Sequence, residues 1–278
     1  MIRYEDTLPD ACGKTTAADA VAALFPELSP RQVRNAFRAR DVKRNGARVP
    51  ADAQTLPGDV ITVFCGEAEQ PAQILFEDKD FLILVKRQGM PTQGPGSAET
   101  LCARHCGAPV FACHRLDAQT GGLLLLAKNE PAREEAVAAF AAHQVRKVYH
   151  CLVRGAPQPA EKTLRAWLEK DAQAARVRVW DSPRGGALPI ETRYRTLARE
   201  GALSRLEVEI PTGRTHQIRA QLAHIGHPIL GDDKYGDRAL NRRLGLRRQQ
   251  LWATRLVFHA GGALAYLDGK AFSVDCPF

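Results

Sequence analysis

Asp117 stands in the run His114-Arg115-Leu116-Asp117-Ala118-Gln119-Thr120-Gly121-Gly122, immediately before the apolar stretch Leu123-Leu124-Leu125-Leu126. A carboxylate at a strand entrance, with an arginine two residues away and glycines that let a ligand approach the backbone, has the ingredients of a reactive site. By itself the run is ambiguous, because a turn aspartate paired with a surface arginine has the same composition. A second run, Arg146-Lys147-Val148-Tyr149, is a basic step into a strand, where tyrosines commonly pack half-buried on a sheet. A third, Pro211-Thr212-Gly213-Arg214-Thr215-His216-Gln217-Ile218-Arg219, ends a strand in a glycine turn and opens a helix with Arg214 at its mouth. Arg214 and Arg219 could hold a carboxylate or a phosphate, or brace the scaffold through salt bridges.

The elements that must position these groups read as a mainly antiparallel α+β arrangement. Strands are expected over 74–77, 81–86, 123–127, 148–153, 164–169, 177–180, 191–197 and 203–210, and helices over 131–143 and 215–225. Strands joined largely without long intervening helices argue against a doubly wound fold. Ahead of them, small and apolar residues from Thr15 to Phe25 recur at helical spacing. Ser29-Pro30 then caps and opens a second helix. That helix carries Arg31, Arg34 and Arg38 at steps of three and four, placing three guanidinium groups on one face. Asn45-Gly46 between extended residues signals a hairpin, and Leu56-Pro57-Gly58-Asp59 a turn into another strand. The polar, aperiodic segment 66–72 reads as a linker between domains over 14–65 and 73–278.

Composition agrees with two unequal domains. The chain has 278 residues, 45% hydrophobic, and its 39 Lys and Arg against 31 Asp and Glu leave a net charge of +8. That balance favours a polyanionic partner, although a merely well-solvated surface has the same signature. No apolar run approaches the roughly 18 residues a membrane-spanning helix needs, and the N-terminus lacks a signal-peptide core, so a cytoplasmic protein without a membrane partner is expected. Seven cysteines, an odd number in a chain of this size, read as reduced thiols.

The order helix, helix, Asn-Gly hairpin, Pro-Gly-Asp turn and strand resembles the S-four RNA-binding domain. The resemblance implies RNA contacts from Arg31, Arg34, Arg38, Lys43 and Arg44. The first helix departs from the pattern: Thr16-Ala17-Ala18-Asp19 stands near the family's usual basic start.

The three chemical runs, in their order and joined by Gly226-His227-Pro228 and Gly231-Asp232 with Tyr235-Gly236, resemble the RluA family of pseudouridine synthases. That family's pattern is His-Arg-Leu-Asp-x-x-Thr-Ser-Gly, then Lys-x-Tyr, then Gly-Arg-Thr-His-Gln-Ile-Arg. The resemblance implies an S-four-like domain followed by a catalytic domain whose mainly antiparallel mixed sheet is flanked by helices. It makes Asp117 the essential aspartate, Tyr149 the active-site tyrosine and Arg214 the basic partner that keeps Asp117 ionised. Arg115 becomes the residue that fills the RNA stack when the target base leaves, and Leu206 and Ile218 apolar neighbours of the flipped base. Gly121 replaces the usual serine, Ala220-Gln221 replaces Val-His, and Trp252-Ala253-Thr254 stands where Leu-His-Ala is usual.

The implied reaction cuts the glycosidic bond of a uridine, rotates the uracil and joins its carbon 5 to the sugar, with no metal and no cofactor. Asp117 could add to the base, attack the sugar or remove a sugar proton, and Tyr149 could pack beneath the base and accept the carbon 5 proton. The target must first be flipped out of its stack, at a cost of a few kcal/mol. Ribosomal RNA is the first expected substrate and transfer RNA the second, acted on by a monomer. Arg242 and Arg243, with Arg247 and Arg248, form the densest basic run, a solvated helix or a phosphate contact. Cys102, His105, Cys106, Cys113 and His114 lack the paired spacing of a zinc site. A non-catalytic RNA-binding or ribosome-assembly protein is the competing reading. It would have no need of Asp117, Tyr149 and Arg214 together. An RNA hydrolase is a weaker one, lacking clustered acidic residues.

Overall fold

The computed structural model describes residues 1–26, 28, 30–65, 73–171 and 176–278. The cap expected at Ser29 and the linker expected at 66–72 lie outside the described residues. The chain divides into two compact units, Met1–Ala72 with Met90–Phe111, and Gln73–Gly89 with Ala112–Phe278.

In the first unit, β1 (Ile2–Thr7) is followed by β2 (Thr15–Thr16), α1 (Ala17–Leu24), α2 (Pro30–Arg38), β3 (Val42–Arg44), β4 (Ala47–Arg48), β5 (Gln54–Thr55) and β6 (Val60–Cys65). Thr16 caps α1 by accepting from the Asp19 N–H. The four-stranded sheet runs β1-β6-β3-β4. Asn45 and Gly46 both adopt positive φ, as the tight turn between β3 and β4 requires. The two turn motifs lock together. The Asp59 carboxylate accepts from the Leu56 N–H and the Asn45 amide, and the Asn45 carbonyl accepts from the Val60 N–H. Val21, Phe25, Leu28, Val42, Ile61 and Val63 fill the core.

Two features depart from the expected boundary of 14–65. β1 pairs along its whole length with β6, although its almost fully exposed side chains leave no alternating pattern to read. Met90–Phe111, expected in the second domain, groups with the first unit. It carries α3 (Ala98–Cys106), capped by Ser97 and closed by left-handed Gly107. The Gly96 N–H donates to the Pro26 carbonyl.

The second unit contains β7 (Ile74–Glu77), β8 (Phe81–Lys86), β9 (Phe111–Ala112, which begins on the last residue of the first unit), β10 (Gly121–Ala127), α4 (Glu130–Ala141), β11 (Val145–Arg154), β12 (Glu161–Asp171), β13 (Arg176–Trp180), β14 (Leu188–Glu200), β15 (Leu203–Glu209), α5 (Gln217–His224), α6 (Arg238–Arg243), β16 (Leu251–Phe258) and β17 (Ala271–Ser273). Every expected strand is present, most of them longer than its apolar centre. Unforeseen is β16, which lies mid-sheet in the order β13-β12-β14-β15-β11-β16-β10-β8-β7. Leu123 and Leu125 of β10, Phe81 and Ile83 of β8 and Phe258 of β16 are fully buried. The alanine stripe Ala132, Ala136 and Ala139 of α4 packs into the same cluster.

β10 and β16 pair in parallel, through Gly121 opposite Trp252 and Gly122 opposite Ala253. A Cβ on Gly122 would sit 2.1 Å from the Ala253 carbonyl oxygen, and φ at Gly122 is +109°. A Cβ on Gly121 would meet the Trp252 ring at 2.0 Å. The two departures from the RluA pattern therefore explain each other: the indole occupies the space a serine at 121 would take. Gly121→Ser alone is expected to destabilise the fold by about 1–3 kcal/mol through overpacking. In the Gly121→Ser/Trp252→Leu double variant much of that loss should return. Urea unfolding midpoints of the four proteins test this, and strictly additive effects would sink it.

Candidate active site

A cavity of about 490 Å³ in the second unit is lined by all three chemical runs, among them Arg115, Asp117, Tyr149, Arg214, His216, Ile218 and Arg219. One edge of it is the turn before β10 that carries Asp117. The Thr120 N–H closes this turn on the Asp117 carbonyl, and the Thr120 hydroxyl accepts from the buried Gln249 amide at 2.6 Å. The Gly89 N–H donates to the Ala118 carbonyl and the Gln88 amide to the Gln119 carbonyl, so the segment after β8 holds the turn from behind. His114 acts as a brace. Its Nε2 accepts from the Leu125 N–H, and its ring lies 4.6 Å from that of Phe140. Burial, then the nearby Lys147 ammonium, pull His114 down to about 3, so the ring is neutral.

The guanidinium paired with Asp117 belongs to Arg219, not to Arg214. Arg219 Nη1 donates to Asp117 Oδ2 at 2.9 Å, and Arg219 Nε and Nη2 bind both oxygens of Asp232 at 2.7 and 3.0 Å. Arg219 is 4% exposed and Asp232 0%. Burial works against the charge on each. The hydrogen bonds and charges of Asp232 and Asp117 nevertheless hold Arg219 above its usual range. Arg219 and the N–H groups of Tyr235 and Lys234 hold Asp232 below that of a free carboxylate. The reason for the difference is helical geometry. Arg214 precedes α5 and is exposed at the cavity mouth, whereas Arg219 lies inside the helix within the buried run Gln217–Leu222. Gln217 fixes the turn carrying Arg214: its Oε1 accepts from the Arg214 N–H and the Thr212 hydroxyl, and its Nε2 donates to the Glu191 carbonyl.

His216 and Lys86 complete the surroundings of Asp117, and sequence reading assigned neither a role there. His216 takes the left-handed conformation, φ +54°, at the start of α5. The Tyr235 hydroxyl accepts from the Val177 N–H at 2.9 Å, which leaves its own proton for His216 Nδ1, 3.0 Å away. His216 Nε2 lies 3.7 Å from Asp117 Oδ2. Burial lowers the His216 pKa against the pull of Asp117. Lys86, fully buried at the end of β8, donates to the carbonyls of Arg87 and Ala118, and burial pushes its ammonium down to about 7 while Asp117 pulls the other way. A cation closing the fully apolar run Phe81–Val85 was the available signal.

Tyr149 is 5% exposed and lines the cavity; burial, then the charge of Asp117, raise its phenol well above the usual tyrosine range. Arg115 is exposed at the cavity and Ile218 lies in its wall. Leu206 departs from expectation. It is fully buried in β15 between Cys151 and Thr196 and does not line the cavity, where Ile210 and Leu251 supply apolar surface instead.

The basic residues outside the cavity fall in two places. Arg31, Arg34 and Arg38 are exposed along α2 of the first unit. Lys43 lies over the Phe64 ring, while Arg44 donates to the Gln54 carbonyl and approaches Asp59 at 3.9 Å. In the second unit Arg242 and Arg243 end α6, with Arg247 and Arg248 just beyond, all four exposed. Among the described residues no group of three or more His, Cys, Asp or Glu side chains is placed to hold a metal ion.

A family model described as RNA pseudouridylate synthase matches residues 80–224. Ribosomal large subunit pseudouridine synthase C of Vibrio cholerae is 33% identical over 249 residues, covering 80% of this chain and 78% of the relative. The Bacillus subtilis protein YlyB, described as an uncharacterized RNA pseudouridine synthase, is 32% identical over 276 residues, 90% of this chain and 88% of its own. The solved structure of human RNA pseudouridylate synthase domain containing 1 shares the fold, with a TM-score of 0.62 at 24% identity over 77% of this chain and 86% of that one. With just over half of its length inside the family model and relatives at about one-third identity along most of the rest, the chain belongs to the RNA pseudouridylate synthase family, in its RluA group.

Proposed function

We propose that this pseudouridine synthase modifies ribosomal RNA, with transfer RNA as the second candidate, and that Asp117 is its catalytic carboxylate. The observation that carries the reading is the state of Asp117. Its Oδ2 is held by Arg219, while its Oδ1 takes no hydrogen bond among the described residues, and the side chain borders the cavity. An oriented carboxylate with one oxygen open is suited to attack the base or the sugar, or to take a sugar proton. In the balanced reaction the N1–C1′ bond breaks and the C5–C1′ bond forms. The C5 proton leaves and N1 gains one, so nothing is oxidised or reduced. The raised phenol pKa of Tyr149 favours packing beneath the uracil over accepting the C5 proton. Ile218, Ile210 and Leu251 give the flipped base its apolar walls, and exposed Arg115 fills the vacated stack.

The ribosomal assignment is supported by the name of the Vibrio cholerae relative and by the net charge of +8. The first unit serves as an S-four-like RNA-binding module, using Arg31, Arg34, Arg38, Lys43 and Arg44. The joined Asn-Gly and Pro-Gly-Asp turns and the basic face of α2 support this role. Arg214, Arg242 and Arg243 add phosphate contacts. The enzyme acts as a monomer in the cytoplasm; among the described residues no helix is long and apolar enough to cross a membrane.

Mapping pseudouridine in cellular RNA with and without the gene should reveal a site that disappears on deletion. Wild-type protein should restore that site, and neither Asp117→Asn nor Asp117→Ala should. In vitro, Asp117→Asn should lower the rate about 10²–10⁴-fold with little change in thermal stability, because Arg219 keeps Asp232. Restoration of the site by either variant refutes the catalytic role. Arg219→Ala, by contrast, strands a buried carboxylate and should cost about 3–5 kcal/mol of fold stability, while Arg214→Gln leaves the melting temperature unchanged and weakens RNA binding. Replacing Arg242, Arg243, Arg247 and Arg248 by glutamine should lower RNA affinity and flatten its dependence on salt, by about 0.7–0.9 in log–log slope for each phosphate no longer neutralised. An unaltered slope would remove these residues from the RNA surface.

A further inference from the structure

Lys147 is a buried cation that the reaction outlined above does not use. It is 9% exposed on β11, two residues from Tyr149, and like Tyr149 it lines the cavity. No hydrogen bond or ion pair to its ammonium is found among the described residues; its neighbours are the Phe140 ring, 5.4 Å from Nζ, and Gly213, where an added Cβ would come within 3.1 Å of Nζ. The strand could have buried an apolar residue here at no electrostatic cost. An unpaired charge in such a place weakens the fold unless a ligand compensates it.

Lys147 and Asp117 line the same cavity, and no ion pair joins them among the described residues. The Asp117 charge bears on Lys86, Tyr149 and His216, whereas burial alone acts on Lys147, lowering its pKa. The same cavity is lined by two further cations, exposed Arg115 and Arg214, and by the neutral ring of His114. The cavity thus holds a carboxylate already paired with Arg219 and a buried cation with no counter-ion among the described residues. In a nucleotide whose ribose meets Asp117, the nearest anion is its own phosphodiester.

We propose that Lys147 binds a backbone phosphate flanking the flipped uridine, so that the cavity fixes the target nucleotide at two points, sugar or base at Asp117 and phosphate at Lys147. This rests on the assignment of the cavity to uridine isomerisation. The glycine at 213 leaves room for the ammonium to reach the phosphate, and Arg214 at the mouth supplies a second, solvated contact. A phosphate contact also restores to Lys147 the charge that burial disfavours.

The test uses the full-length protein and a short RNA carrying the uridine whose modification disappears on gene deletion. The RNA is made with normal linkages or with a neutral methylphosphonate on the 5′ or the 3′ side of that uridine. On normal RNA, Lys147→Met should lose about 10- to 100-fold in kcat/KM. Its melting temperature should stay level or rise, since an unpaired buried charge has been removed. Wild-type protein should lose a comparable factor on one of the two methylphosphonate RNAs, and Lys147→Met should lose little more on that same RNA. Lys147→Gln, which keeps a polar side chain, is measured alongside against failure of the methionine variant to fold. The proposal is overturned if both methylphosphonates slow the variants as much as the wild type, or if the variants melt earlier yet keep full kcat/KM. A wild-type protein inactive on the normal RNA, or an active Asp117→Asn, would instead overturn the assignment of the cavity.

Discussion

Arg219 links Asp117 to the buried Asp232, with exposed Asp233 a third and longer contact at 3.4 Å, and the organisation of the site depends on that link. Asp232, fully buried, takes both ends of the guanidinium fork and fixes its plane. Only then can the remaining nitrogen be offered to Asp117 at a set angle. A buried ion pair adds little net stability after desolvation, but breaking it is expensive. Such a pair is better understood as a positioning device than as a source of fold energy. It makes the orientation of the Asp117 carboxylate a property of the protein interior and not of the surface.

The Gly-Asp-x-x-Tyr-Gly run exists to hold that device. Gly231 adopts φ +73° where a Cβ would strike the Arg248 carbonyl oxygen at 1.9 Å, and Gly236 packs as tightly against the Asp232 carbonyl. Asn241 of α6 ties both sides of the turn, accepting from the Gly231 N–H and donating to the Asp232 carbonyl. Tyr235 extends the support to His216 and to β13. The helix bearing Arg242 and Arg243 is thus bonded to the turn that sets Arg219. A surface suited to phosphate and the orientation of Asp117 share one piece of backbone.

The legible parts of this protein were those written as local chemistry. Asn45-Gly46 and Pro57-Gly58-Asp59 specify turns whatever surrounds them, and the apolar centres of the strands announced themselves by composition. Elements that depend on distant partners were not legible. β1 presents mostly exposed side chains and exists because β6 offers it an edge, and α3 belongs with a segment far from it in sequence. At the site, residue types were readable and pairings were not. Arg214 and Arg219 look equivalent until the helix start at Gln217 turns one outward and buries the other. Leu206 shares a face of the sheet with Tyr149 and Ile210 but sits opposite Cys151, one step farther along the strands than the Tyr149–Val208 pair, and no motif records how far along β15 the cavity reaches. Lys86 and Lys147 escaped because an isolated lysine beside a strand reads as solvated.

The parallel contact between β10 and β16 spans two residue pairs, beyond which the facing edge of β10 bonds to Cys113 and His114 and that of β16 to β17. Asp117 lies four residues before this seam, and Tyr149 is paired with Ala253, which forms part of it. Asp117 and Tyr149 therefore sit beside a short seam, where two halves of one sheet are stapled by a pair of glycine contacts and then diverge. Because Asp117 and Tyr149 hang from opposite sides of this two-pair seam, a change in the glycine contacts alters their separation before it reaches the rest of the sheet.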